Sequence, residues 1–480
     1  MNPFGILSLA PFLLFPFITA SQTLPRQPAI NVLDHGAQGD GHTLDTLSIQ
    51  KAIDHCAKTG GGTVVFPPGK YLTGTLFLKD HVHLNVTTGA TLFGSPNLDD
   101  YPAKMNGFPS RTDRYCSRAL IRGEGLQDIG IWGQGILDGQ GAQFRGNKAS
   151  GEVFERMVKA YEDQDRYTPH EGYFDRPYLI QFVSCSQVLI EGVKLRNSAM
   201  WMQHYLDCDF VTIRGIDVYN HVGSNNDMID IDCCRNVIVS DCVGDTDDDA
   251  LTLKSTGARP TENVTITNCI LRSHCNAIKA GTESAGGFRN ITISNCVIQR
   301  SEAPGVIAGR REGLAGIALE IVDGGTLNQV TIQNIVMEGT TAPLFLRLGN
   351  RARPPKPSDP KPEIGTFRNV FISDILARGA GRTGCSITGL PGHPIENVSL
   401  SNIRISFAGG GTTKETQAQP EELEAKYPEC TMFGVLPSYG FYCRHVRGLS
   451  IQDVRLELET PDERPPLVLE NVTEADPMLR

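Results

Sequence analysis

The sequence predicts an all-β fold, a parallel β-helix with a short N-terminal capping helix, and three observations carry that prediction. Nine runs share one six-residue template: Val188–Val193, Val211–Ile216, Val237–Cys242, Val264–Cys269, Ile291–Cys296, Val330–Ile335, Val370–Ile375, Val398–Ile403 and Leu449–Val454. Positions one, three and six are apolar in each, the period-two alternation of a strand with one buried face. Position five is Gly, Asn or Asp in every copy, the residue types that accept a positive φ at a bend. Successive copies begin 23 to 27 residues apart through the middle of the array, a period that marks a solenoid or a propeller. The copies are short, strand-rich and free of a 3.6-residue pattern. That selects one coil per repeat, with coils about 4.8 Å apart.

The elements follow in order. Ile6–Ala20 is an apolar run that reads as the core of a secretory signal spanning residues 1–21, although the Lys or Arg that usually precedes such a core is missing. It is too short and too interrupted by proline to cross a bilayer, so the expected location is secreted or periplasmic. Residues 28–470 read as a single β-helix domain; a solenoid grows in one dimension and escapes the usual domain-length prior. Asp45–Lys58 is patterned as an amphipathic helix with apolar positions Leu47, Ile49, Ala52, Ile53 and Cys56, stopped by Gly60-Gly61-Gly62. Such a helix closes the open end of a β-helix. Strands are expected at Thr63–Phe66, Tyr71–Leu78 and His81–Leu84. Three insertions interrupt the coils: residues 142–175, with a helical stretch at Val153–Tyr161; residues 351–363, with five prolines; and residues 408–430. Insertions on one face of a solenoid wall a binding groove.

A formal charge of −10 argues against nucleic acid or an anionic membrane as partner. The 13 cysteines form no CxxC pair, and Cys242, Cys269 and Cys296 fall at the apolar sixth position of the template. They read as buried small hydrophobes rather than as metal ligands or a disulfide ladder.

Chemistry is concentrated in three segments that align without gaps: Asp227–Asp232, Asp249–Lys254 and Asn276–Gly281. Coil stacking puts Asp227, Asp249 (with Asp248 beside it) and Asn276 in one column. Carboxylates at short range resist joint ionisation, so one pKa is driven up. An inverting glycosidase needs such a pair, one protonated and one ionised, about 6.5–9.5 Å apart with room for a water. The competing reading is that turns collect Asp and Asn anyway. Against it, Asp245, Asp247, Asp248 and Asp249 crowd a single turn. No cofactor or metal is required.

Several segments together resemble the polygalacturonase family, glycoside hydrolase family 28: Asn31–Gly41, Gly61–Gly69, Gly133–Gly139, Arg176–Phe182 and Trp201–His204. The resemblance implies a right-handed parallel β-helix and hydrolysis of a pectic poly- or oligosaccharide with inversion. The family's Asn-Thr-Asp motif falls on Asn225-Asn226-Asp227 and its Asp-Asp pair on Asp248-Asp249. That implies Asp248 as general acid, with Asp227 and Asp249 holding and deprotonating the attacking water. Two departures stand out. The family's Gly-His-Gly aligns with Cys275-Asn276-Ala277, and its Arg-Ile-Lys, which grips a galacturonate carboxylate, aligns with Ala318-Leu319-Glu320. His274 would share the strand face of Asn276 but sit about 6–7 Å along it. A uronate facing Glu320 would be repelled unless a cation intervened, and Lys279, Lys254 and Arg347 are the candidates for touching substrate, with Asn225 and Asn276. The departures point to an unusual subsite beside the scissile bond, accepting a neutral sugar, as in rhamnogalacturonan, or a chain end. Two other classes stay open. A pectate-lyase-type elimination would use the carboxylates to bind Ca²⁺, and a noncatalytic glycan-binding β-helix would bind without turnover.

Overall fold

A computed structural model describes residues 29–479, so the Ile6–Ala20 run lies outside the described residues. The chain is a right-handed parallel β-helix, and the nine template copies stack in register. Val188 pairs with Val211, Val237, Val264, Ile291, Val330, Val370, Val398 and Leu449 in succession, one per coil. Positions one, three and six of each copy line the interior: Val237, Val239 and Cys242 are at most 1% exposed. Position five takes a positive φ in all nine copies, from Gly192 at 74° to Asp453 at 49°. The three stacked cysteines are buried and free, each Sγ donating to the carbonyl two residues back: Cys242 to Ser240, Cys269 to Thr267 and Cys296 to Ser294.

A second bend escaped the sequence reading. The residue just before position one also has a positive φ at Asn236, Asn263, Asn290, Asn369 and Asn397. There the side-chain amides form ladders: Asn263 Nδ2 donates to Asn236 Oδ1 at 3.0 Å, and Asn290 Nδ2 to Asn263 Oδ1 at 3.0 Å. Stacking like residues lets each amide satisfy the next.

The cap differs in detail from expectation. The helix spans Thr46–Lys58 and buries Ile49, Ala52, Ile53 and Cys56, but Leu47 is 75% exposed and takes no part in the apolar face. The run expected as one strand over Tyr71–Leu78 divides into Gly69–Thr73 and Leu76–Phe77. Gly74 marks the break, where a Cβ would lie 2.3 Å from the Asp100 carbonyl oxygen.

The floor of the groove is the sheet of strands Tyr178–Val183, Gln203–Leu206, Ile229–Asp232, Leu251–Ser255, Ile278–Ser284, Ala315–Ile321 and Ala342–Leu348, paired in that order. Residues 142–175 precede the first of these strands and carry a helix at Glu152–Glu162; residues 351–363 follow the last and are irregular. The two segments therefore leave from opposite ends of the floor strands, yet they meet. Tyr167 Oη donates to the Pro354 carbonyl at 2.8 Å, and the Ser358 N–H to Asp165 Oδ1 at 3.1 Å. A third segment crosses the same way: Arg111, ahead of strand Ala119–Glu124, donates its N–H to the carbonyl of Thr256, just past Leu251–Ser255. It is anchored by a buried two-point ion pair between Asp113 and Arg166, at 2.7 and 2.6 Å.

Candidate active site

The expected column forms. Met228 N–H donates to the Asp249 carbonyl at 3.1 Å and Ala250 N–H to the Asn276 carbonyl at 2.9 Å, which stacks Asp227, Asp249 and Asn276 at the entry to three successive floor strands. Asp227 and Asp249 are each 3% exposed, whereas the neighbouring Asp248 is partly open to solvent.

The surroundings give the carboxyls different characters. Asp249 Oδ2 receives Lys279 Nζ at 2.8 Å, and Oδ1 receives the Asn276 side-chain amide at 2.7 Å and its backbone N–H at 2.9 Å. Burial alone would raise its pKa, but the charges of Lys279 and Lys254 outweigh that and hold the carboxyl below the ordinary value. Asp248 has no such cation in contact. Burial, then the adjacent Asp249 charge, push it up. Asp227 is pushed well above the ordinary range by burial and by the charges of Asp230 and Asp248, against the pull of Lys254 Nζ at 3.8 Å. An oxygen of Asp248 comes within 4.8 Å of one of Asp249.

The four aspartates of the Asp245–Asp249 turn do not form one cluster. Asp245 and Asp247 turn away from the column. Asp245 accepts from His221 Nε2 at 2.9 Å, the Ser301 hydroxyl at 2.6 Å and the Glu302 N–H at 2.9 Å. Asp247 holds His274 Nδ1 at 2.8 Å and the N–H groups of Ile307 and Ala308 at 2.9 and 2.7 Å. These two carboxylates fix the segment around residues 301–308, and His274 belongs with them. Asn276, not His274, contacts Asp249.

The predicted cations divide. Lys254 sits among Asp227, Asp230 at 3.4 Å and Glu283 at 3.7 Å, its Nζ over the Trp201 ring at 4.6 Å. Lys279 adds a contact to Tyr427 Oη at 3.3 Å. Arg347 does not reach this cluster: its guanidinium is spent on the Thr388 hydroxyl and the carbonyls of Gly389 and Glu422, beneath the third insertion. Asn225 takes a positive φ of 56° and accepts from Arg176 Nη1 at 3.3 Å, so it shapes the turn ahead of Asp227. Glu320 is 1% exposed and both carboxyl oxygens lack partners among the described residues. Burial pushes its pKa well above the ordinary value, which favours the protonated form and weakens the expected repulsion of a uronate.

Sequence reasoning missed several groups at the site. Asp230, pushed up to about 8 by burial, lies under Lys254. Glu283 is held well below the ordinary value: burial is overcome by Lys254 and by Arg353, whose guanidinium also binds Asp323. Arg351, Tyr427 and the Tyr115–Trp201 pair complete the walls. Asp230 and Glu283 lie on floor strands Ile229–Asp232 and Ile278–Ser284, but nothing in the sequence said that a proline-rich loop would return two arginines to the same place.

A coil-stacked groove with carboxyls of divided ionisation along its floor defines a β-helical polysaccharide-active protein. The family model of glycosyl hydrolases family 28 matches residues 56–425, and the chain belongs to that family; it is a polygalacturonase-type glycosidase. A "Probable polygalacturonase" from Vitis vinifera is 27% identical over 80% of this chain and 75% of its own. The "Exo-poly-alpha-D-galacturonosidase" of Dickeya chrysanthemi is 28% identical over 49% of this chain and 43% of its own. The structure of a hyperthermoactive exopolygalacturonase from Thermotoga maritima superposes with a TM-score of 0.66 at 24% identity, over 79% of this chain and 87% of that one.

Proposed function

We propose that this protein is an inverting glycosidase that removes sugars from the ends of pectic chains. One observation carries the chemistry: two consecutive carboxyls, Asp248 and Asp249, are driven in opposite directions by their surroundings. Such a divided pair supplies an acid and a base at one pH. Asp248 donates its proton to the glycosidic oxygen as the bond to the anomeric carbon breaks. A water oxygen attacks that carbon from the opposite face and gives its proton to Asp249, with Asp227 orienting the water. Asn276 and Lys279 keep Asp249 ionised for this step.

The bonds from Tyr167 to Pro354 and from Asp165 to Ser358 support action at ends, because joined insertions leave a chain no way through on that side. The name of the Dickeya relative agrees. The absence of cations at Ala318 and Glu320 favours a neutral sugar, as in rhamnogalacturonan, on the far side of the scissile bond. A calcium-dependent elimination fits less well, since both oxygens of Asp249 are already taken by donors and Ca²⁺ takes six to eight oxygen ligands. The substrate and Ile6–Ala20 together favour a secreted or periplasmic location, which cell fractionation tests.

The test is product analysis on polygalacturonate and on rhamnogalacturonan oligosaccharides, with proton NMR of the first product. Monosaccharide release with slow viscosity loss and an inverted anomer is the expected result. Internal fragments from the start would end the reading of chain-end action, and a retained anomer would end the assignment of Asp248 and Asp249.

A further inference from the structure

We infer that Arg111 and Arg351 form an anion clamp that holds the carboxylate of the sugar being released; the inference rests on the chain-end reading above. Most cations near the groove are already compensated. Lys254 has three carboxyl neighbours, Lys279 has Asp249, and Arg353 has Asp323 and Glu283. Arg111 and Arg351 differ. Arg111 is 8% exposed, and its guanidinium lies 4.5 Å from the Tyr167 ring centre with no carboxylate or carbonyl partner among the described residues. Arg351 makes one bond, to the Thr282 hydroxyl at 3.3 Å, and lies 5.1 Å from the Tyr427 ring centre. A guanidinium with no carboxylate in contact is costly to desolvate; burial and then Arg353 lower the pKa of each, while Asp323 and Glu283, neither within ion-pair distance of them, pull the other way. Two such groups near a compensated third have donors to offer an anion.

The location suits the released sugar. Thr282 and Glu283 stand three and four residues beyond Lys279 on floor strand Ile278–Ser284, about 10 Å further on. Arg111 is tied through its N–H to Thr256, one coil away at the same end of the floor. A sugar bound against Asp249 and Lys279 thus has its far edge toward both arginines. Each lies over an aromatic ring and offers the planar fork that matches a carboxylate. Both come from segments that cross the groove, so the clamp exists only where the groove is closed. This replaces the strand-borne Arg and Lys that the sequence lacks at Ala318 and Glu320, and it makes a terminal uronate, with a neutral sugar beyond it, the preferred substrate.

Calorimetry on the whole protein with free galacturonate and free galactose tests the clamp without turnover. The expected result is that galacturonate binds more tightly, that Arg351→Gln removes about tenfold to a hundredfold of the preference, and that Arg351→Lys restores part of it. Arg111→Gln should act in the same direction; if that variant does not fold, Arg351→Gln on the loop carries the test. Equal affinity for both sugars in the parent, or a preference that survives Arg351→Gln, overturns the clamp. Release of monosaccharide from rhamnogalacturonan oligosaccharides that end in galacturonate, and from their methyl esters, separates the two readings. Intact binding preference with no release sinks the chain-end function alone, and release with no preference for the free acid sinks the clamp alone.

Discussion

Replacing Lys279 by Met tests how Asp249 is kept ionised. The Nζ–Oδ2 distance is 2.8 Å, and both residues are 3% exposed. Met keeps the apolar stem and removes the charge. A hydrogen bond to a charged group contributes about 1.5–3 kcal/mol, and one pKa unit corresponds to about 1.4 kcal/mol. The Asp249 pKa should therefore rise by about one to two units, with Lys254 and Asn276 limiting the change. The assay is kcat/KM against pH on the best oligosaccharide, where protonation of Asp249 sets the acid limb. That limb should move toward neutrality by the same amount, while the alkaline limb, set by loss of the Asp248 proton, should move up as well but by less, because Lys279 holds Asp248 down only through space. Stability follows with its own sign. Asp249 has a depressed folded pKa, so its pairing stabilises the fold above the unfolded value and that contribution fades as pH falls through the folded one. The variant should show a lower urea midpoint at neutral pH and a smaller difference from the parent in acid. An acid limb within about a third of a pH unit of the parent would refute the assignment of Asp249 as the ionised partner.

Other consequences are equally direct. Asp248→Asn should lower kcat by about a hundredfold or more with little change in KM; retention of most activity would remove Asp248 from the acid role. Tyr167→Phe combined with Asp165→Ala should loosen the closure and raise the share of longer oligosaccharide products, read by chromatography; an unchanged profile would mean that the closure does not limit the substrate. At template position five, Asn334→Val should cost about 1–2 kcal/mol, because a β-branched residue is forced to a φ of 56°, whereas Asn334→Gly should be nearly neutral. A chelator should leave product formation unchanged and no unsaturated, ultraviolet-absorbing product should accumulate; loss of activity on chelation would revive the elimination reading.

Much of the architecture was legible because a solenoid writes its geometry as a period. The apolar positions of the nine copies and the Gly, Asn or Asp at position five specify both the buried column and its bend. The Asn236–Asn263–Asn290 ladder was equally periodic, but it lay one residue outside the template and passed for ordinary strand-flanking polarity. Asp227, Asp248 and Asp249 could be found because they occur on stacked positions. The partition of charge around them could not. Asp245 and Asp247 looked like members of the same cluster until the fold turned them toward His221 and His274. Arg351 carried no periodic mark at all, since it sits outside the coils, and its place depends on where the chain returns after residue 350 rather than on any local pattern.

The loop that carries Arg351 also bears on how such a protein can change. Residues 349–365 make the connection out of the floor that residues 256–260 make three coils earlier. In the polymer estimate, a loop more than three times as long costs only about 1 kcal/mol of additional closure entropy. The coil pairs above and below keep their register across it. Selection can therefore lengthen, shorten or rewrite this segment almost without penalty to the scaffold, while a shift of one residue in a floor strand would turn Asp249's neighbours to the wrong face. Diversification among such proteins should accordingly proceed fastest in what they accept, and slowest in how they cut.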